Sequence, residues 1–417
     1  MKKAVSMFLV LALMVASLSA CGSATKDSGT EGTSNAGTAD ETDTDETDAA
    51  DDAKATDTAN AGGDATFYIG GIGPLTGGAA IYGVAVKNGA QIAVDEINAA
   101  GGINGTQIAY NFQDDEHDAE KAVNAYNTLK DWGLQILMGT VTSAPCIAVA
   151  DKTAEDGIFQ ITPSGSSTDC IINDNVFQVC FTDPNQGLES GKYVGENKLA
   201  EKVAVIYDSS DAYSSGIAEA FIAEAGNQPF EVVVSEAFTA DSKTDFTVQL
   251  QKAKEAGADM VFLPIYYQEA ALIIQQANTM GYEPTFCGGD GLDGILSVEN
   301  FDTALAEELI LLTPFIADAD DELTKTFVTT YQDTYGEIPN QFAADGYDAI
   351  YIIKAAIEEA GATADMSGQD IGTALIDTIT KVKVTGLTGE DMTWEAVGTV
   401  NKTPHAVKII DGVYEAM

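Results

Sequence analysis

Residues Phe67–Gly102 read FYIGGIGPLTGGAAIYGVAVKNGAQIAVDEINAAGG, and the rhythm of this stretch decides the fold. Phe67 to Ile72 is short and apolar, as a buried strand is. Val86, Ala90, Val94 and Ile97 then recur at helical spacing until Gly101-Gly102 stops the helix. The same alternation continues downstream. Ile108 to Phe112 reads as a strand, Ala119 to Leu129 as a helix, Ile136 to Met138 as a strand, Ala144 to Ala154 as a helix and Ile158 to Thr162 as a strand. After Asp183-Pro184 the rhythm restarts with a helix, Gln186 to Asn197. Strands at Val203–Tyr207, Glu231–Glu236, Met260–Leu263, Pro284–Cys287 and Leu309–Thr313 then alternate with helices at Ser214–Ala225, Phe246–Ala256 and Glu269–Met280.

Strands that alternate with amphipathic helices build parallel sheets covered on both faces. Two such runs predict an α/β protein of two doubly wound parallel-sheet lobes with a cleft between them. The last part of the chain departs from this pattern. Glu322–Tyr335, Gln341–Ala360 and Asp370–Thr378 are helices with no strand between them, and Thr393–Val397 and His405–Ile410 look like short terminal strands. Helices left over after the second sheet return to cover the first lobe. The chain then crosses between lobes several times, which makes a multi-strand hinge. The expected division is 64–183 with 314–387 for one lobe, and 184–313 with 388–417 for the other.

Upstream of the body, Lys2 and Lys3 precede an apolar run from Ala4 to Leu18, closed by Leu18-Ser19-Ala20-Cys21. This is the pattern of a bacterial lipoprotein signal, so residues 1–20 are a leader to be removed and Cys21 is the expected lipidation site. An ordinary membrane anchor would leave the same topology, extracytoplasmic and tied to the cell membrane. Residues 21–63 are Ala, Gly, Ser, Thr, Asp and Glu with almost no large apolar side chain. They read as a flexible acidic tether, extended by the self-repulsion of Glu41-Thr42-Asp43-Thr44-Asp45-Glu46-Thr47-Asp48.

The formal charge is −45 and becomes −47 once the leader takes Lys2 and Lys3 with it. Nucleic acid is excluded as a partner, because neutralising phosphate needs cationic side chains. Anionic lipid headgroups would repel the body as well. Cysteine gives no zinc spacing and no C-x-x-C pair. Beyond Cys21 there remain Cys146, Cys170, Cys180 and Cys287, with a Cys146–Cys170 pair or buried free thiols as the alternatives. No cofactor or metal site is expected.

Ligands of parallel sheets sit beyond the carboxyl ends of the strands. Those ends carry Pro74 to Gly83, then Gly139-Thr140-Val141-Thr142-Ser143, then Thr162-Pro163-Ser164-Gly165-Ser166-Ser167 in the first lobe. In the second they carry Asp208 to Tyr213, Tyr266-Tyr267 and Gly288-Gly289-Asp290-Gly291. One side offers hydroxyls and free N–H groups, the other tyrosines and a carboxylate. The set suits a small zwitterion, its carboxylate held by Ser143 and Ser166 and its ammonium by Asp290. Ser143 precedes a helix that opens with Pro145 and resembles an N-cap, where unpaired N–H groups make an anion site. Taken singly, Ser143 serves its helix, Ser164 and Ser166 a loop, and Asp290 a turn. Their shared position at strand ends is what argues for binding.

From about Asp64 onward the chain resembles the type I periplasmic binding proteins of ABC importers, in particular the leucine/isoleucine/valine-binding group. The resemblance is carried by Ile72 to Gly77, Tyr82-Gly83, Gly89 to Asn98, Ala100 to Gly105, Phe159 to Ser164 and Phe181-Thr182-Asp183. It implies that Ser143 and Ser166 hold the ligand α-carboxylate with help from backbone groups around Ser164, and that Asp290 pairs with the α-ammonium. Tyr213, Tyr266 and Tyr82 are the implied tyrosines that close over the ligand, with Tyr82 and Val141 bordering its side-chain pocket. The chain departs from the family in two places. Asp290 is one methylene shorter than the Glu often found there, and His117 and Thr142 stand where some relatives carry a disulfide pair.

The function implied is capture of a branched-chain or similar aliphatic amino acid by a monomer. Closure of two lobes and delivery to ABC permease subunits would follow. A receptor-coupled sensor, or a body binding an amide, urea or another amino acid, shares these features. An enzyme is not expected: His117 sits in a charged run that reads as a solvated loop, and His405 reads as structural. G-x-S-x-G, P-loop and HExxH motifs are missing.

Overall fold

The computed structural model describes residues 65–417. The leader, Cys21 and the whole tether lie outside the described residues. The first sheet contains β1 (Thr66–Gly73), β2 (Gln107–Asp114), β3 (Ile136–Gly139), β4 (Phe159–Thr162) and β5 (Val176–Gln178) in the order β2-β1-β3-β4-β5. All its pairings are parallel. The connections are α1 (Ala80–Ala99), α2 (Ala119–Trp132) and α3 (Ser143–Asp156). β3 and β4 are buried at every residue, as expected for strands covered on both faces.

After α4 (Asp183–Glu196) come β6 (Lys202–Asp208), α5 (Ala212–Ala225), β7 (Glu231–Phe238), α6 (Thr247–Ala256), β8 (Met260–Leu263), α7 (Tyr267–Thr279), β9 (Thr285–Gly288) and β10 (Ile310–Thr313). With β11 (His405–Ile410) and β12 (Val413–Ala416) they form a seven-stranded sheet in the order β12-β11-β10-β9-β8-β6-β7. This second sheet is mixed, because β11 and β12 pair antiparallel to their neighbours. The turn between them is Asp411-Gly412, with φ of 49° and 78°. Two left-handed residues in succession suit a tight hairpin, and this Asp-Gly pair is the sequence signal for the unexpected β12.

The helices left over behave as the sequence implied. α8 (Glu322–Tyr335), α9 (Gln341–Ala360) and α10 (Gly368–Ile379) return to the first sheet, with α9 lying along α1. The α1–α9 crossing is close enough to require glycine on both helices. A Cβ on Gly89 would lie 1.8 Å from the Ala343 carbonyl oxygen, and one on Gly346 would lie 2.3 Å from that of Val86.

Two expectations need correction. Thr393–Val397 is not a strand, because Trp394 makes only a single bridge, to Val400. It serves instead to fasten this crossing segment, donating its indole N–H to the Gln178 carbonyl at 2.8 Å. β5, only three residues long, went unseen because so short a run carries no periodicity. All four described cysteines are buried free thiols, Cys146 and Cys170 included.

Candidate functional site

The cap of α3 lies one residue earlier than predicted. Ser143 is the first helical residue, and Thr142 occupies the N-cap without using its side chain as one. The Thr142 hydroxyl is engaged elsewhere, 2.9 Å from Nδ1 of His117. The Thr142 side chain thus leaves the N–H groups of Ser143 and Ala144 at the start of α3 uncapped, and Ser143 is buried. The chain contains no arginine. An anion at this place is met by hydroxyls and backbone N–H groups. The Ser143 hydroxyl accepts the Ser167 N–H at 3.2 Å, which ties the start of α3 to the loop after β4.

The other wall comes from the second sheet. Asp290 begins a short 3₁₀ turn after β9 and is 4% exposed. Tyr213 donates its hydroxyl to Asp290 Oδ1 at 2.8 Å, and Gln186 of α4 accepts the Asp290 N–H at 3.2 Å. Burial pushes the Asp290 carboxyl up to about 6, against the lowering effect of the Tyr213 and Gln186 side chains. The rings of Tyr213 and Tyr266 stack at 5.0 Å, with planes 6° apart. Tyr82 bridges the walls, donating to the Gly291 carbonyl at 2.6 Å and accepting the Tyr267 N–H at 3.2 Å.

Tyr82, Val141, Ser143, Ser164, Tyr213, Tyr266 and Asp290 all line one cavity, joined by Thr142, Gly291 and Phe342. Its volume is about 10 Å³, the space of a single water. The polar strand ends of the two sheets thus meet with almost no free space between them. Ser166 is the one predicted residue off this wall. It is fully buried, and its carbonyl accepts the Asp183 N–H at 3.0 Å. A larger cavity of about 750 Å³ lies past Ile81 and Gly294, between α1, α8 and β12. Its walls are mainly apolar, with Asp293, Thr313, Tyr414 and the start of α9 at Asn340 and Gln341 among them, and none of the predicted site residues lines it.

His117 is not in a solvated loop. Its ring meets that of Tyr266 edge-on at 5.4 Å, and burial holds its imidazole below the usual histidine range. Phe342 and Gln186 had no local signal, since each enters from a helix whose pattern specifies only burial. Thr142 was visible as part of a polar strand end. Among the described residues, no group of three or more His, Cys, Asp or Glu is placed to hold a metal ion, and no helix is long and apolar enough to cross a membrane.

An α/β body of two sheets with polar strand ends converging between them is the architecture of an extracytoplasmic solute-binding protein. The chain belongs to the periplasmic binding protein family, whose model matches residues 66–411. Among curated relatives, the Leu/Ile/Val-binding protein BraC3 of Rhizobium johnstonii is 32% identical over 360 residues, spanning 80% of this chain and 92% of its own. The leucine-, isoleucine-, valine-, threonine- and alanine-binding protein of Pseudomonas aeruginosa is 28% identical over 298 residues, 71% of this chain and 79% of its own. Among solved structures, the branched-chain amino acid transporter substrate-binding protein LivJ of Streptococcus pneumoniae, in complex with isoleucine, superposes with TM-score 0.76 at 30% identity. That match covers 84% of this chain and 98% of LivJ. The family and these relatives are binding proteins rather than enzymes, and the family works outside the cytoplasm.

Proposed function

We propose that this protein captures a branched-chain or similar aliphatic amino acid by closure of its two lobes and hands it to an ABC permease, tethered to the membrane by lipid on Cys21. The lobes exchange chain near residues 183, 313 and 387. The carrying observation is the convergence of Ser143, Ser164, Tyr82, Tyr213, Tyr266 and Asp290 on one closed cavity. The start of α3 and Ser143 receive the α-carboxylate, and Asp290 receives the α-ammonium. The tyrosines cover the ligand, with Val141 and Phe342 against its side chain. Closure strips water from both charges and strengthens each charge-assisted bond. A submicromolar ligand supplies about 8 kcal/mol or more, enough to shift the open–closed equilibrium if most contacts form only on closure.

The test is titration calorimetry of the mature protein against leucine, isoleucine and valine, beside a panel of other amino acids, amides and urea. Saturable binding confined to aliphatic amino acids supports the reading, and binding confined to amides or urea rejects it. Incorporation of labelled lipid, lost in Cys21→Ala, tests the anchor. Uptake of the bound amino acid by cells carrying the cognate permease separates transport from sensing.

A further inference from the structure

The larger cavity, of about 750 Å³, has the size of a small-molecule site. Helices beside the first sheet form one wall, with Val84 of α1, Val328 of α8 and the start of α9. The second sheet forms the other, with Leu311 of β10, Val407 of β11 and the β11–β12 hairpin. A partition divides it from the small cavity, and no residue lines both. Along this partition sequence neighbours face opposite ways. Ile81 and Gln341 line the large cavity, while Tyr82 and Phe342 line the small one. The turn after β9 is divided likewise, with Asp290 on the small side and Asp293 on the large.

The charges on the large cavity have one sign. Asp293 is 6% exposed in its wall, and Asp318, Glu337 and Glu415 are exposed at its mouth. Among the described residues that line it there is no Lys or His, and the chain has no Arg. Ile338 and Val413 also stand at the mouth, 61% and 50% exposed, so the apolar lining continues to the surface. Asp293 has a local duty, since its Oδ2 accepts the Gln341 N–H at 3.0 Å where α9 begins. That bond gives the carboxylate no cation. Burial raises the Asp293 carboxyl above the usual carboxylate range, and an ammonium beside it would favour the charged form.

A fatty or aromatic acid would meet only like charge here, and a free amino acid would find no partner for its carboxylate. An apolar molecule with one ammonium suits both the walls and the acids. We propose that the large cavity is a second ligand site, which takes an apolar amine with its body between α1, α8 and β10 and its ammonium at Asp293. This site is separate from the amino-acid cleft and does not depend on that reading.

The experiment titrates the mature protein with 4-phenylbutylamine, 4-phenylbutan-1-ol and 4-phenylbutyrate, each with and without saturating L-leucine. The amine is expected to bind saturably, at least about tenfold more tightly than the alcohol, with no binding of the acid. L-leucine should not displace it. Because a strongly acidic protein attracts any cation, Val84→Trp supplies the control. The indole fills the cavity, so amine affinity should fall at least about tenfold while L-leucine affinity stays within about twofold. Gln332→Lys, an exposed change on the α8 wall, should weaken the amine by about threefold or more. Displacement by L-leucine, equal binding of amine and alcohol, no amine binding, or an affinity unmoved by Val84→Trp would each overturn the proposal. If Val84→Trp does not fold, Gln332→Lys decides, and unchanged amine affinity overturns it. If L-leucine does not bind at all, the cleft reading fails alone, and the same variants still decide this one.

Discussion

The hydroxyl of Tyr82, on α1 beside the first sheet, donates to the carbonyl of Gly291, in the turn after β9 of the second, over 2.6 Å. Tyr82 is 1% exposed, and the same oxygen accepts the Tyr267 N–H. One phenol thus latches two segments of the second lobe to the first. Opening must break both bonds and return the groups to water.

Tyr82→Phe keeps the ring contact with Phe342, whose centroid is 4.4 Å away, and removes the latch. The closed form then holds a carbonyl and an N–H without their partner, a loss of about 1–2 kcal/mol. Ligand affinity is expected to fall about 5- to 30-fold through faster dissociation, with the melting temperature of the ligand-free open form little changed. Stopped-flow measurement of both rate constants checks this, and an unchanged dissociation rate would show that the latch does not hold the closed state.

Asp290→Asn tests the other wall. The asparagine keeps the shape and the contact with Tyr213 but removes the only charge that the tyrosine and Gln186 jointly support. Affinity for a zwitterionic amino acid should drop by about 3 kcal/mol or more, because the ammonium enters a dry site short of a counter-charge. The ligand-free protein should be at least as stable as wild type. Calorimetric affinity within threefold of wild type would reject the assignment of Asp290.

The pH dependence of stability follows from the same burial. Asp290 and Asp211 are pushed up to about 6, and Asp115 and Asp345 to about 7, burial being the largest cause in each case. Each folded value lies above that of an unfolded aspartate, so the folded protein binds more protons between about pH 4 and pH 7. Their contribution to stability is fully present below about pH 4 and is lost as pH rises through 6 and 7. Ligand-free protein should therefore melt at a higher temperature at pH 5 than at pH 8. Bound amino acid should flatten the slope by pairing Asp290. Scanning calorimetry across this range gives the sign directly, and a melting temperature rising toward pH 8 would contradict it.

Much of this was legible because apolar strands and helical spacing repeat. β8 and α9 fall on their predicted residues, Met260–Leu263 and Gln341–Ala360. The candidate site was legible where its residues sit at strand ends and line one cavity, as Ser143, Ser164 and Asp290 do. It was opaque where a long-range contact decides. Nothing local distinguishes Phe342 from any other apolar residue of α9. His117 reads as one member of an acidic run until Thr142 and Tyr266 arrive from distant parts of the chain. The segment after Lys383 looked strand-like but is a crossing, fixed by side chains rather than a ladder.

That crossing carries the last prediction. Lys402 and Asp345 of α9 form an ion pair at 3.2 Å with side chains 0% and 2% exposed, and Lys402 also donates to the Thr388 hydroxyl at 2.6 Å. Asp348, one turn along α9, accepts the N–H groups of Leu387 and Thr388 at 2.8 Å each. One lysine thus answers two buried carboxylates. Lys402→Met fills the space but strands both, and unfolding free energy should fall by about 3–5 kcal/mol. Asp345→Asn in the Lys402→Met background removes one of the stranded charges and should restore part of the loss. A double-mutant cycle from denaturant melts measures that recovery as a coupling energy. Independent, additive effects would mean the pair does not fasten the crossing to α9, and the hinge would then depend on Asp348 and Trp394 alone.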